Sequence, residues 1–169
     1  AMALGNHEFD HGPENAARYI QALGAPVLAA NLDTRAEAAL DGLVQPFAVF
    51  ERGGARIVVI GLITEATPTI ASPGPNLRFL DSEEAAARAV AEARAAGPAT
   101  IVLLSHRGFG ADQLLAARIP GVDAIVGGHS HTILANRPGA AGPAPVVVDG
   151  PDRACLLYTS DAADDSLRV

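Results

Sequence analysis

Residues 5–12, GNHEFDHG, combine side chains that bind metal ions with side chains that move protons. Two of the five histidines, His7 and His11, lie here together with Asn6 and Asp10. Imidazole nitrogens and amide or carboxylate oxygens bind divalent cations, and an imidazole beside a carboxylate can act as a general acid. A glycine at each end lets the backbone turn sharply and approach a ligand. The stretch therefore predicts a metal-binding or proton-transferring site rather than a surface turn.

The other three histidines also lie beside glycines. His106 is in the stretch LSHRG, and His129 and His131 are in GGHSHT. A single histidine is more often structural than a ligand, but three glycine-flanked histidine motifs in one chain favour a shared metal site. A His-x-His pair that leaves a strand places both rings on one face, because side chains alternate along a strand. Imidazole suits zinc, iron and manganese, and a neighbouring amide oxygen suits the harder of these.

The elements that would position these histidines alternate between apolar runs and helical patterns. Strands that are continuous apolar runs, alternating with helices, indicate a largely parallel α/β sheet that is covered on both faces. Ligands of such sheets bind at the carboxyl ends of the strands, where all three later histidines lie: His106 closes one predicted strand, and His129 and His131 follow the next. The predicted helices cover residues 12–24, 81–98 and 111–119, and the predicted strands cover 25–33, 45–51, 55–64, 99–106, 122–128 and 144–150.

Composition narrows the class of protein. The chain has 169 residues, 49% hydrophobic and 18% charged, which fits one globular domain. Its formal net charge is −7 and it has no basic run, so a nucleic-acid polymer is not an expected partner. No apolar run approaches the ~18 residues of a membrane span. The single cysteine, Cys155, excludes an internal disulfide.

The motifs GNHEFD, LSHRGFGADQ and GGHSHT, in this order, resemble those of the calcineurin-like metallophosphoesterases. More narrowly, they are similar to the branch of 5′-nucleotidases, UDP-sugar hydrolases and 2′,3′-cyclic-nucleotide phosphodiesterases, for which GNHEFD is specific. The resemblance covers about residues 3–150. It implies an α-β-β-α fold in four layers, a β-sandwich flanked by helices. It also implies a small nucleotide or another phosphoester as the substrate.

The resemblance implies a centre of two divalent metal ions, which could be manganese, zinc, iron or magnesium. Asn6, through its amide oxygen, would bind one metal together with His106 and His129. His131 would bind the other metal. Two adjacent cations can neutralise the charge that develops in an in-line displacement at phosphorus.

The resemblance also implies that His7 contacts the phosphoryl group and acts as general acid or transition-state stabiliser, with Asn6 beside it at the substrate. Asp10 would orient His7 and stabilise its charge, so that the two form a His–Asp dyad. Within the same motifs we expect Phe9 to pack in the core and Glu8 to bond to the backbone. His11 is expected to be exposed.

The sequence departs from the family pattern at both ends. Relatives carry an Asp-x-His and a Gly-Asp motif upstream of the Asn-His motif, whereas only four residues precede Gly5. Without the carboxylate that bridges the metals, we expect this chain to be a fragment with little or no activity. The domain is expected to span residues 1–150, with its first strands missing. Residues 151–169 match no part of the family and are expected to be an artefactual or disordered tail.

The intact protein is expected to continue into a C-terminal nucleotide-recognition domain, and the family suggests a periplasmic or extracellular location. Two alternatives stay open. One is a non-catalytic α/β module that binds metal, although structural zinc sites are usually rich in cysteine and none lies near these motifs. The other is a thiosulfohydrolase-type relative in the same superfamily, which the residues GNHEF disfavour. Arg107, next to His106, could face a phosphate or be structural.

Overall fold

The computed structural model describes residues 1–159. Its strands are β1 (Met2–Ala3), β2 (Val27–Leu28), β3 (Leu32–Asp33), β4 (Val44–Gln45), β5 (Phe47–Arg52), β6 (Ala55–Ile63), β7 (Arg78–Phe79), β8 (Thr100–His106), β9 (Ala124–Gly127), β10 (Val146–Asp149) and β11 (Ala154–Thr159). Its helices are α1 (Pro13–Leu23), α2 (Thr67–Ile70), α3 (Ser82–Ala95) and α4 (Phe109–Arg118), and a short 3-10 helix covers His7–Phe9.

The largest sheet has six strands in the order β10-β11-β9-β8-β6-β5. Its four central strands are parallel, and the two edge strands are antiparallel to their neighbours. The prediction of a largely parallel sheet is therefore confirmed. Strands β5 and β6 form the predicted hairpin, in which Gly53 and Gly54 have φ of 57° and 78°. Two successive residues with positive φ match a type I′ turn, whose twist suits a hairpin.

One face of this sheet packs against α3 and α4. Alternate residues of the central strands, including Ile60, Leu103 and Ile125, are fully buried there against the small residues of α3 and against Leu115 of α4. The α3 helix begins as predicted, because the Asp81 side chain accepts a hydrogen bond of 2.8 Å from the Glu84 amide. This core fixes β8 and β9, the two strands that carry the later histidines.

The second core lies between α1 and a small parallel sheet of order β1-β2-β4. This sheet packs on the other face of the large one, where a Cβ added to Gly61 would lie 2.2 Å from the Leu28 carbonyl oxygen. Only glycine allows the two backbones to approach this closely. The layers are therefore helices, large sheet, small sheet and α1, which confirms the α-β-β-α fold class.

The single strand predicted over residues 25–33 is wrong. The chain forms β2, turns, and then forms β3, which pairs with β7 in a separate two-stranded sheet. The turn is held by the buried side chain of Asn31, which accepts a hydrogen bond from the Ile63 amide at 3.0 Å and donates one to the Ile63 carbonyl at 2.8 Å. The Asn31 side chain thus takes the place of the backbone hydrogen bonds that a continuous strand would make to β6.

The predicted tail differs from the structure over part of its length. Residues 154–159 form β11, which lies inside the large sheet between β9 and β10. The physical reason is that Cys155 and Leu157 are buried in the main core on the face of the sheet that α3 and α4 cover. The rest of that prediction, for residues 160–169, lies outside the described residues. Within residues 1–159, no helix is both long enough and apolar enough to cross a bilayer.

Candidate active site

The first motif forms a tight loop directly after β1. Residues His7–Phe9 make one 3-10 turn, and the Phe9 ring is buried with its edge against Phe79. The Gly5 amide donates a hydrogen bond of 2.6 Å to the Glu8 carboxylate. The expectations that Phe9 packs and that Glu8 bonds to the backbone are both confirmed. His11 is exposed, also as expected.

Asn6 and His106 meet at the carboxyl end of β8, although they lie 100 residues apart in sequence. The Asn6 Oδ1 atom is 3.0 Å from the His106 Nε2 atom, and Asn6 is buried. Gly5 makes room for this contact, since a Cβ at that position would lie 2.9 Å from the His106 ring. The first and second motifs therefore form one site, with a glycine that is required by close approach rather than by a turn.

His129 joins this pair from the loop after β9. The centroids of the His106 and His129 rings are 4.9 Å apart. His129 and His131 have φ of 73° and 53°, and they are the only described non-glycine residues with positive φ. Such conformations are uncommon for residues other than glycine, and they concentrate at functional sites.

The loop that carries His129 is fastened to both neighbouring elements. The Gly128 amide donates a hydrogen bond of 2.9 Å to the carbonyl of Ser105, the residue before His106. The Ser130 hydroxyl accepts one of 3.0 Å from the amide of Phe109, the first residue of α4. That amide is one of the helix N–H groups that lack a partner within the helix, so the loop also caps α4.

His7 and Asp10 form a second pair at the surface. The His7 Nδ1 atom is 2.8 Å from the Asp10 Oδ2 atom, across one turn of the chain. Their side chains are 46% and 41% exposed, so a solute can reach both. The sequence proximity of these two residues is therefore realised as a hydrogen-bonded imidazole–carboxylate pair.

The donor set at Asn6, His106 and His129 suits one divalent cation. An amide oxygen and two imidazole nitrogens are accepted by zinc, manganese and iron. Within residues 1–159, no three His, Cys, Asp or Glu side chains are grouped as metal ligands would be. The set therefore depends on the asparagine amide. His131 lies two residues beyond His129 in the same loop.

Arg107, the residue after His106, is largely buried. Its side chain is only 13% exposed, and its Nη2 atom is 3.5 Å from a Glu65 carboxylate oxygen. Its Nε and Nη1 atoms are buried without a hydrogen-bond partner among the described residues. Burial by itself would raise the pKa of Glu65, but hydrogen bonds from Ser82 and the charge of Arg107 bring that pKa below its ordinary value. Of the two alternatives for Arg107, the structure favours the structural one.

Sequence reasoning missed Asp112, which is fully buried on the inner face of α4. The signal was present, because Asp112 shares its helix face with the buried Leu115 and Ala116 at spacings of three and four residues. An acidic residue in a first helical turn is also common on exposed faces, where it interacts with the helix dipole. The position of Asp112 in the sequence therefore did not show whether its side chain is on the buried or the exposed face of α4.

Comparison with known proteins extends these observations. Residues 1–132 match the calcineurin-like phosphoesterase family. A probable 5′-nucleotidase of Treponema pallidum is 44% identical over 134 residues, which are 79% of this chain and 23% of that protein. A 5′-nucleotidase of Diplobatis ommata is 42% identical over 137 residues, again 79% of this chain and 24% of that protein.

The structure of a 5′-nucleotidase precursor from Thermus thermophilus superposes with a TM-score of 0.91 at 46% identity, over 94% of this chain and 32% of that one. The chain thus spans about a quarter of the length of the curated relatives and a third of this structure. The matched segment contains all the candidate ligands, from Asn6 to His131. The chain therefore belongs to the calcineurin-like phosphoesterase family.

Proposed function

We propose that this chain is part of a metal-dependent phosphoester hydrolase of the 5′-nucleotidase type, which acts on small nucleotides. The observation that carries the proposal is the meeting of Asn6, His106 and His129 at the carboxyl edge of the large sheet. The side chains come from three separate motifs, with the Asn6 oxygen 3.0 Å from the His106 Nε2 atom and the His129 ring centroid 4.9 Å from that of His106. The 5′-nucleotidases among the relatives support the substrate class.

In this proposal Asn6, His106 and His129 hold one divalent cation, and His131 contributes to a second. Bound cations would polarise the phosphoryl oxygens and neutralise the charge that develops on them. Asn6 supplies a neutral oxygen, so its amide adds no negative charge near an anionic substrate. The positive φ of His129 and His131 directs both residues away from the regular strand geometry that a continued β9 would have.

His7 and Asp10 would perform the acid chemistry. The carboxylate of Asp10, at 2.8 Å, fixes the His7 ring through Nδ1. A fixed imidazole that carries a proton can protonate or stabilise the leaving oxygen of the ester. Because both side chains are about half exposed, a substrate phosphate can approach the ring from solvent.

This chain spans about a quarter of the length of its curated relatives. We propose that a C-terminal nucleotide-recognition domain of the whole protein selects the substrate. We also propose that the whole protein is periplasmic or extracellular. The chain by itself is proposed to have little or no activity, because its candidate ligands, Asn6, His106, His129 and His131, include no carboxylate that could bridge two metal ions.

The proposal is tested in the longer polypeptide that contains residues 1–159, by measuring phosphate release from AMP with added Mn²⁺. His7→Asn should keep the bound metal while kcat falls by ~10²–10⁴-fold, because an acid catalyst is lost. Asn6→Ala should instead lose metal, and excess Mn²⁺ should partly restore the rate. The matched control is His11→Asn, which changes an exposed histidine of the same motif and should leave both quantities unchanged.

Two outcomes would contradict this assignment. If His7→Asn lost its metal as Asn6→Ala does, His7 would be a ligand and the dyad would be wrong. If the longer polypeptide released no phosphate from AMP or from a generic phosphodiester, the proposed activity would be wrong. In that case Mn²⁺ binding without turnover would favour the alternative of a non-catalytic metal-binding module.

A further inference from the structure

The α4 helix carries one carboxylate on its buried face, in contact with the ends of β8 and β9. Asp112 is fully buried, and it lies in the first turn of the helix. The mechanism proposed above gives it no role. A buried carboxylate is expensive unless both of its oxygens are paired, and Asp112 Oδ2 has no hydrogen-bond partner among residues 1–159.

The two oxygens of Asp112 contact two different strand ends. Oδ1 accepts a hydrogen bond from the hydroxyl of Ser105 in β8. Oδ2 lies against Gly127 at the end of β9, where an added Cβ would be 2.3 Å from this oxygen. Ser105 and Gly127 are also register partners in the parallel pair β8–β9. One side chain therefore touches both members of the last rung of this ladder.

Both candidate imidazole ligands lie just beyond this rung, one as the last residue of β8 and the other in the loop after β9. His106 follows Ser105 directly, and His129 follows Gly127 by two residues. We propose that Asp112 is a positioning residue of the metal site, which holds the ends of β8 and β9 in register so that His106 and His129 converge. This inference rests on the proposed function for its purpose, but the contacts themselves do not depend on it.

A role in fold stability alone would not favour a carboxylate here. A leucine has nearly the same branched shape and would bury apolar surface against Leu115 and Ala116 at no cost in desolvation. Residues that lower stability are typically retained where function needs their geometry. What leucine cannot supply is the acceptor for the Ser105 hydroxyl, which is the link to β8.

The first test measures amide hydrogen exchange in the metal-free chain. The Gly128 amide, which donates to the Ser105 carbonyl, reports whether the loop stays closed on β8. In Asp112→Leu it should exchange at least ~10-fold faster relative to amides in the middle of β8, because local opening no longer breaks a contact with Asp112. In Asp112→Asn, which keeps an acceptor oxygen, it should stay within ~3-fold of the wild type.

Leu115→Ala is the structural control, because it removes a buried apolar side chain one turn along the same face and leaves the Asp112–Ser105 hydrogen bond in place. It should lower the unfolding midpoint and leave the ratio of Gly128 exchange to mid-β8 exchange unchanged. The proposal is overturned if Asp112→Leu leaves that ratio at its wild-type value. It is equally overturned if Leu115→Ala raises the ratio as much.

The second test titrates the same variants with Zn²⁺. Asp112→Leu should weaken Zn²⁺ binding by ~10–100-fold, as is typical when a residue that orients a ligand is removed. Leu115→Ala should bind Zn²⁺ like the wild type, and equal affinities in Asp112→Leu and the wild type would overturn the positioning role. If the wild type bound no Zn²⁺, the proposed metal site would fail, while the exchange experiment would still decide the role of Asp112.

Discussion

Replacing Asp112 by asparagine should change how the stability of this protein depends on pH. Burial raises the pKa of Asp112 to about 6, from an ordinary value of 3.8, and the Ser105 hydrogen bond and the Arg107 charge offset only part of this effect. A difference of about 2 pH units corresponds to about 3 kcal/mol between the protonated and charged forms. The asparagine variant lacks this titration.

The direction in which stability changes with pH follows from proton binding to Asp112. Because the folded protein holds the Asp112 proton more tightly than the unfolded chain, the wild type loses stability as pH rises from about 4 through about 6. Above that range the loss is complete and constant. The free energy of unfolding of Asp112→Asn minus that of the wild type should therefore increase by about 2–3 kcal/mol between pH 4 and pH 7.

Urea unfolding followed by circular dichroism at pH 4, 5, 6 and 7 measures this difference. All other titrating groups are common to both proteins and cancel, and any fixed cost of the new amide cancels too. Asp41→Asn, at an exposed loop residue, is the control for removing a carboxylate that is not buried. A difference for Asp112→Asn that stays constant within ~0.5 kcal/mol across the range would refute the reasoning.

Three further predictions concern other close contacts and the thiol. Gly5→Ala should lower Zn²⁺ affinity by ~10-fold in a calorimetric titration, because its Cβ would lie 2.9 Å from the His106 ring, and an unchanged affinity would contradict the site geometry. Gly61→Ala should cost ~1–3 kcal/mol or more in urea unfolding, because its Cβ would lie 2.2 Å from the Leu28 carbonyl, and a cost below ~0.5 kcal/mol would contradict the sheet packing. Burial, with the charges of nearby aspartates, raises the pKa of the Cys155 thiol to about 11. The reaction of Cys155 with a disulfide reagent at pH 8 should therefore be ~100-fold slower in the folded protein than in urea, and equal rates would contradict its burial.

Local patterns carried most of the fold prediction. The capped helix α3 and the hairpin at Gly53 and Gly54 depend on residues adjacent in sequence, and both were predicted correctly. The break after β2 was not, because it depends on Asn31 bonding to the backbone of β6, more than 30 residues away. Strand β11 was missed because residues 155–158 form one short apolar run in the sequence, and the alternation of buried and exposed side chains exists only in the folded chain.

In the candidate site, too, local features were predictable from the sequence and features set by distant contacts were not. The motifs identified the candidate residues, and the rule that ligands bind at the carboxyl ends of parallel strands predicted that His106 and His129 lie at one edge of the sheet. The left-handed backbone of His129 could not be predicted, because it results from hydrogen bonds made by its neighbours to β8 and α4. Asp112 was missed for a similar reason, since its importance depends on contacts with two strands that only the folded chain brings together.

Calorimetric titration of this chain with Mn²⁺ tests the central claim most directly, that Asn6, His106 and His129 hold a divalent cation. Asn6→Ala should weaken binding at least ~10-fold, because it removes the oxygen that lies 3.0 Å from the His106 ring. His11→Ala, at the exposed histidine of the same motif, should bind Mn²⁺ like the wild type. Equal affinities in the wild type and Asn6→Ala, or an equal loss in His11→Ala, would contradict the account.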